Sequence, residues 1–190
     1  DSTSYPQARI HSDLFALPGN SGGAVVDKKG ELVGILASGD GNINEIIPAV
    51  LIDAVLESST ESKRKEFLTR GEAIRNCADL LYESNQIAKD PPAELVKTLK
   101  KNCLSARNKQ LFDQAGQLFG KWWMFRLSEM FLNESLKLDP QSPNTLMSLA
   151  VSYHHNRDYV KEKPILKKYL DLSVKLYEDS DNYNIESINI

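Results

Sequence analysis

Pro18-Gly19-Asn20-Ser21-Gly22-Gly23 sets one hydroxyl among glycines, between an apolar-rich approach and a pair of apolar runs. Glycines on both sides open backbone conformations closed to residues with a Cβ, so such a turn can present a side chain and aim successive N–H groups at one point. Acyl transfer needs both features. A serine attacking a carbonyl builds negative charge on oxygen, and preorganised N–H donors at that oxygen are usually the largest catalytic term. Ser21 is therefore the candidate nucleophile, and the N–H groups of Gly19 and Ser21 are the candidate oxyanion hole. The same residue types fill ordinary polar turns, but the flanks argue for more. Ile10–Leu17 runs in as an apolar-rich lead-in strand. Gly23–Leu36 runs out as strand, tight turn at Asp27-Lys28-Lys29-Gly30, and strand.

Residues 10–23 and the hairpin that follows resemble the nucleophile segment of the trypsin-like serine proteases, most closely the HtrA (Deg) type. That type carries Asn-Pro-Gly-Asn-Ser-Gly-Gly, an apolar strand, a Gly-Glu turn and a Gly-Ile strand; here Leu17 stands in place of the Asn. A last short strand over Ile43–Pro48 and a closing helix over Ala49–Glu57 extend the resemblance to roughly residues 8–58. The resemblance implies that residues 1–58 are the C-terminal portion of a trypsin-like β-barrel. The triad's His and Asp would lie upstream, in an N-terminal protease segment absent from this chain, because the family's order is His, Asp, Ser. His11 matches no base position in that order. The resemblance also puts the primary pocket's floor at Phe15 and one wall at Ile35, Leu36 and Ala37, a wall that would pair with an extended polypeptide substrate. With no acidic residue at the floor, cleavage after small or apolar residues is expected, since a cationic side chain there would be desolvated without a partner. Family location is extracytoplasmic or periplasmic, with a cytoplasmic site as the alternative.

Composition narrows the remaining possibilities. The 190 residues carry 23 Lys plus Arg against 26 Asp plus Glu, a formal charge of -3, so no net basic field invites nucleic acid or anionic membrane. No apolar run reaches the length of a membrane span, and Asp1-Ser2-Thr3-Ser4 reads as a cut end. Cys77 and Cys103 are the only cysteines, too few for a disulfide framework, and are expected as buried free thiols. His154-His155 shows no metal-ligand spacing, and no metal or cofactor is expected.

From Ser58 to Lys65 the chain turns polar and charged, which marks a boundary between residues 1–58 and an all-α part, 59–190. Apolar residues then recur at three- and four-residue steps from Phe67 to Ala88, stopped by Asp90-Pro91-Pro92, and a second helix carries Leu95, Leu99 and Leu104. Segments 109–142 and 143–176 show self-similarity with a 34-residue period. Phe112, Ala115, Gly116, Phe119, Ser128, Leu132, Ser135 and Pro140 occupy positions where tetratricopeptide repeats place large, small and helix-ending residues, so this part resembles that repeat family. Residues 75–108 fit the frame as a degenerate repeat with Tyr82 at a small-residue position. In 143–176, Glu162 and Tyr169 also stand at small-residue positions, and Pro164 falls inside the second helix or at a late start of it. The aromatic run Trp122-Trp123 with Phe125 is expected in the core. The resemblance implies a groove for a protein partner, faced by Gln110, Asp113, Gln117 and Lys121 in one repeat and Asn144, Met147, Val151 and His154 in the next. Two functions fit the whole: a serine endopeptidase with an α+β multidomain fold and a helical interaction module, or a non-catalytic scaffold with an inert protease remnant.

Overall fold

A computed structural model describes residue 5 and residues 7–39, 44–58 and 61–182. Pro6, Asp40 to Asn42, Ile43 at the head of the expected last strand, and the boundary residues Ser59 and Thr60 lie outside them. Four strands form one antiparallel sheet: β1 (Ile10–Ser12), β2 (Ala24–Val26), β3 (Leu32–Gly39) and β4 (Asn44–Pro48). Their spatial order is β1-β4-β3-β2, an open sheet and not a closed barrel. The lead-in is a strand only over Ile10–Ser12; residues 13–17 take no regular structure. At Leu14 the backbone is held by side chains instead, its N–H by Ser12 Oγ and its carbonyl by Asn44 Nδ2. Ser38 and Gly39 continue β3 opposite Glu45 and Asn44 after a register shift between Leu36 and Ser38.

The β2–β3 turn forms for a local reason. Asp27 Oδ1 accepts the N–H groups of Lys29 at 2.8 Å and Glu31 at 2.9 Å, so one carboxylate satisfies the donors that the chain reversal exposes. Beyond the sheet the described residues form seven helices: α1 (Leu51–Ser58), α2 (Glu61–Ser84), α3 (Ala93–Ala106), α4 (Lys109–Lys121), α5 (Phe125–Leu138), α6 (Pro143–His155) and α7 (Tyr159–Asn182). Lys63-Arg64-Lys65, in the polar stretch after Ser58, lies within α2. Its like charges face solvent on α2.

The helices pack as hairpins, α2 on α3, α4 on α5 and α6 on α7, while α4 also touches α2 and α6. The turns of the second and third hairpins repeat bond for bond. Trp122, Trp123 and Met124 donate to the carbonyls of Leu118, Gly120 and Phe119; Asn156, Arg157 and Asp158, each 34 residues on, donate to Ser152, His154 and Tyr153. Trp123 at φ 62° and Arg157 at φ 59° are both left-handed, the conformation that reverses a helix end. Gly116 lets α4 and α5 approach, since a Cβ there would lie 2.5 Å from Leu132 Cγ.

The core sits between α2, α3, α4 and α5 around Leu99, Phe112, Phe119 and Phe131. Phe119 stacks on Phe131 with centroids 5.4 Å apart and meets Trp122 edge-on at 5.7 Å. Trp122 is buried and donates Nε1–H to Ile87 O at 2.9 Å, as a buried indole should. Trp123 departs from the expectation at 64% exposed, because its left-handed backbone turns it out of the helix stripe. Pro164 lies inside α7.

The cysteines overturn the free-thiol expectation. Cys77 on α2 and Cys103 on α3 form a disulfide, with both residues fully buried and Cα atoms 4.8 Å apart. Two cysteines are indeed too few for a framework, yet one on each arm of a helical hairpin suffices for a staple. We predict that iodoacetamide adds no mass to the unfolded, unreduced chain and two adducts after reduction. Replacing both cysteines with alanine should lower stability by about 2–4 kcal/mol, read from urea unfolding. Two adducts without reductant would contradict the bond.

Candidate active site

The Ser21 loop is tied at both ends by hydrogen bonds that leave the expected donors unspent. Asn20 N–H donates to Leu17 O at 3.0 Å and Gly23 N–H to Asn20 O at 2.9 Å, closing two tight turns. Gly22 N–H donates to Leu36 O at 2.7 Å while Leu36 N–H donates to Gly23 O at 2.9 Å, which docks the loop's far end on β3. The N–H groups of Gly19 and Ser21 alternate with these and have no acceptor among the described residues. Gly19 at φ 102° and Gly22 at φ 90° hold a backbone that an L side chain would strain. A Cβ on Gly23 would press to 2.9 Å from Asn20 O. Ser21 itself is exposed.

None of the three histidines hydrogen-bonds Ser21. His11 lies on β1, at the opposite edge of the sheet from β2, and its Nε2 pairs with Asp139 Oδ2 at 3.4 Å. His154 Nδ1 meets Glu162 at 3.0 Å, and His155 stacks on Phe125. The pocket residues are only partly assembled. Phe15 is 83% exposed and forms no enclosed floor. Ile35 and Leu36 cannot receive an added strand, because β4 takes one side of them and Ala24 with Gly22–Gly23 takes the other. Sequence alternation shows which residues share a face but not which ladder edge is occupied. The edge of β3 past Leu36, at Ala37 to Gly39, has no strand on its β2 side among the described residues.

Behind the sheet, sequence reasoning missed a buried charge cluster that joins it to the helices. Lys109, the first residue of α4, is 1% exposed; its Nζ lies 2.5 Å from Glu45 Oε1 on β4 and 3.3 Å from Asp113 Oδ2 one turn on. Ser38 Oγ–H donates to the other Glu45 oxygen at 3.0 Å, and Thr145 Oγ1–H donates to Asp113 Oδ1 at 2.8 Å. Burial pulls the Lys109 ammonium down, but Asp113 and Glu45 outweigh it and hold the pKa above its ordinary value. Asp113 is displaced upward as well, because burial penalises its charge more than Lys109 and the hydroxyls repay. Asp113 was expected in the partner groove. It is an internal partner of Lys109 instead, and the only hint was a Lys and an Asp four residues apart on one helix.

The other expected groove residues divide. Gln117 and Lys121 line both an open cleft of about 550 Å³ between α2 and α4 and a second, of about 280 Å³, between α4 and α6. Met147 and Val151 line the second. Lys121 Nζ is bonded to Asn85 O at 2.7 Å. Gln110 and Asn144 are half-buried, and His154 is exposed beside Glu162.

Comparison with known proteins gives one informative likeness. A "Serine protease HtrA-like" from Staphylococcus haemolyticus (strain JCSC1435) is 37% identical over 105 residues, covering 50% of this chain. The chain spans 16% of that relative's length. The likeness relates the chain to a protease. No family model matches it, and no solved structure does.

The cluster has a measurable pH signature. Because the folded Lys109 pKa is raised, its charge stabilises the fold fully below the ordinary lysine value of 10.5, and that contribution drains only as pH climbs through the folded value above it. Glu45→Ala leaves the ammonium short of its closest partner, and we expect a loss of about 3–5 kcal/mol in urea unfolding at pH 7. Alkaline unfolding of the variant should begin at lower pH than in the native chain. A loss below about 1 kcal/mol, the value of an exposed pair, would contradict burial of this pair.

Proposed function

We propose that this chain is the nucleophile-bearing C-terminal part of a trypsin-like, HtrA-type serine endopeptidase, joined to a tetratricopeptide-like helical module. The observation that carries the reading is the Ser21 loop, an exposed hydroxyl flanked by two N–H donors that no internal bond consumes. The likeness to an HtrA-like serine protease supports it. An upstream segment supplies the histidine and aspartate, with the base within hydrogen-bond reach of Ser21 Oγ. Ser21 then attacks the scissile carbonyl of a polypeptide, and Gly19 and Ser21 N–H receive the oxyanion. That segment would also wall in Phe15, giving a pocket for small or apolar side chains. Substrate main chain pairs with the open edge at Ala37.

The repeat reading rests on the turn bonds that recur 34 residues apart, and the adjoining clefts lined by Gln117 and Lys121 support a groove for a protein segment. The buried Cys77–Cys103 disulfide favours an oxidising, extracytoplasmic location. A second reading, an inert remnant serving as a scaffold, is favoured by one fact: none of this chain's histidines bonds Ser21.

A covalent probe decides between the two. In a chain extended upstream through the triad residues, a fluorophosphonate should label Ser21, and Ser21→Ala should abolish labelling and lower kcat on the order of 10⁶-fold. A peptide library should then show small or apolar residues before the cut. No labelling of the extended chain would establish the inert reading, and a profile dominated by Lys or Arg would overturn the assigned pocket.

A further inference from the structure

The hydrogen bonds that tie the Ser21 loop run only to Leu17, Asn20, Gly23 and Leu36 among the described residues, yet its two anchors trace back to the helices. Strand β4 alternates its side chains, so Asn44 and Glu45 leave it on opposite faces. Glu45 reaches back to Lys109 Nζ and to Ser38 Oγ. Asn44 reaches forward, where its Nδ2 donates to Leu14 O at 2.7 Å. Leu14 N–H donates to Ser12 Oγ at 3.2 Å, so both polar groups of Leu14 are held by side chains of the β1–β4 pair. From Leu14 the chain runs without regular structure to Leu17, whose carbonyl takes the Asn20 N–H. The far end of the loop is docked on Leu36, two residues before Ser38.

The β1–β4 pair is in turn pinned twice to the helical part. His11, opposite Glu45 in register, meets Asp139 at the C-terminus of α5, and Glu45 meets Lys109 at the start of α4. Gln7 adds a surface tie, its Oε1 accepting Lys109 N–H and its Nε2 donating to Arg107 O, both at 2.8 Å. Both side-chain ties are nearly free of water, at 2% and 6% exposed for Lys109 and Glu45 and 8% and 2% for His11 and Asp139, and the Lys109–Glu45 contact is the shorter, at 2.5 Å against 3.4 Å. A carboxylate that buried cannot stay ionised in place once its cation is gone.

We propose that Lys109 is a positioning residue for the serine loop: through Glu45 it fixes β4, and through Asn44 and Ser38 it sets the lead-in at Leu14 and the β3 edge at Ala37–Gly39. The helical part thereby serves as a clamp that shapes the site, and not only as a partner groove. The clamp's bearing on catalysis rests on the reading of Ser21 as nucleophile, but the clamp itself does not.

Residue-resolved hydrogen exchange on this chain tests it without requiring activity. In Lys109→Met, the amides of Asn20, Gly22, Gly23 and Leu36 should exchange about tenfold faster or more, while those of α6 keep their native rates, the pattern of local and not global opening. Lys109→Arg, which keeps the cation, should restore most of the protection. A folded Lys109→Met with native exchange at these amides overturns the proposal. If that variant does not fold, Asn44→Ala leaves the ion pair intact and must accelerate the Asn20 amide alone or first; an unchanged rate there overturns the proposal too. Covalent labelling of the upstream-extended chain reports separately on Ser21 as nucleophile, so a loosened loop without labelling would fault only that reading.

Discussion

A lysine ammonium almost sealed from water needs compensating charge within a few ångströms, and the fold answers that need from two directions. Lys109 opens α4, with Asp113 one turn along the same helix and Glu45 arriving from the sheet. Desolvating an isolated ammonium costs several kcal/mol even after relaxation, so neither carboxylate is dispensable while the lysine stays buried. Apolar packing tolerates sliding between surfaces. A buried ion pair does not, because its energy depends on geometry. The sheet and the helices are therefore fixed in one relative position.

From that fixed point the rest can be followed outward. Glu45 holds Ser38 on β3, and Asn44 beside it holds Leu14. The same cluster continues into the helices, where Thr145 on α6 bonds Asp113 and Ser142, its N-cap, and where Ser128 and Ser152 meet at 2.6 Å between α5 and α6. Small polar residues at helix crossings allow close approach and still satisfy one another. The aromatic stack of Phe112, Phe119 and Phe131 supplies the apolar stabilisation that offsets the cost of this polar seam.

Much of this was legible from the sequence wherever the signal was local. The glycines about Ser21 permitted the positive φ found at Gly19 and Gly22, and the two apolar runs about the turn at Asp27–Gly30 pointed to the β2–β3 hairpin. Segments 109–142 and 143–176 begin where α4 and α6 begin, while α7 runs on past 176 to Asn182. What escaped depends on contacts between distant segments. Asp113 looked like an exposed polar residue because nothing nearby reveals that Thr145 and a lysine bound to β4 close over it. Cys77 and Cys103 looked unpaired because their juxtaposition depends on how α2 and α3 pack. Ile35 and Leu36 looked available to substrate because strand order decides which edges are free, and strand order is not written in alternation.

The most direct test of the account is a double-mutant cycle between Glu45 and Lys109, with Glu45→Gln, Lys109→Met and the pair measured by urea unfolding at neutral pH. If the two charges are buried against each other and join sheet to helices, each single change leaves the other charge unpaired. The double variant should then recover a large part of the loss, with a coupling of about 2–3 kcal/mol. Additive effects, with coupling below about 0.5 kcal/mol, would mean that the two residues do not depend on each other and would contradict the account at its base.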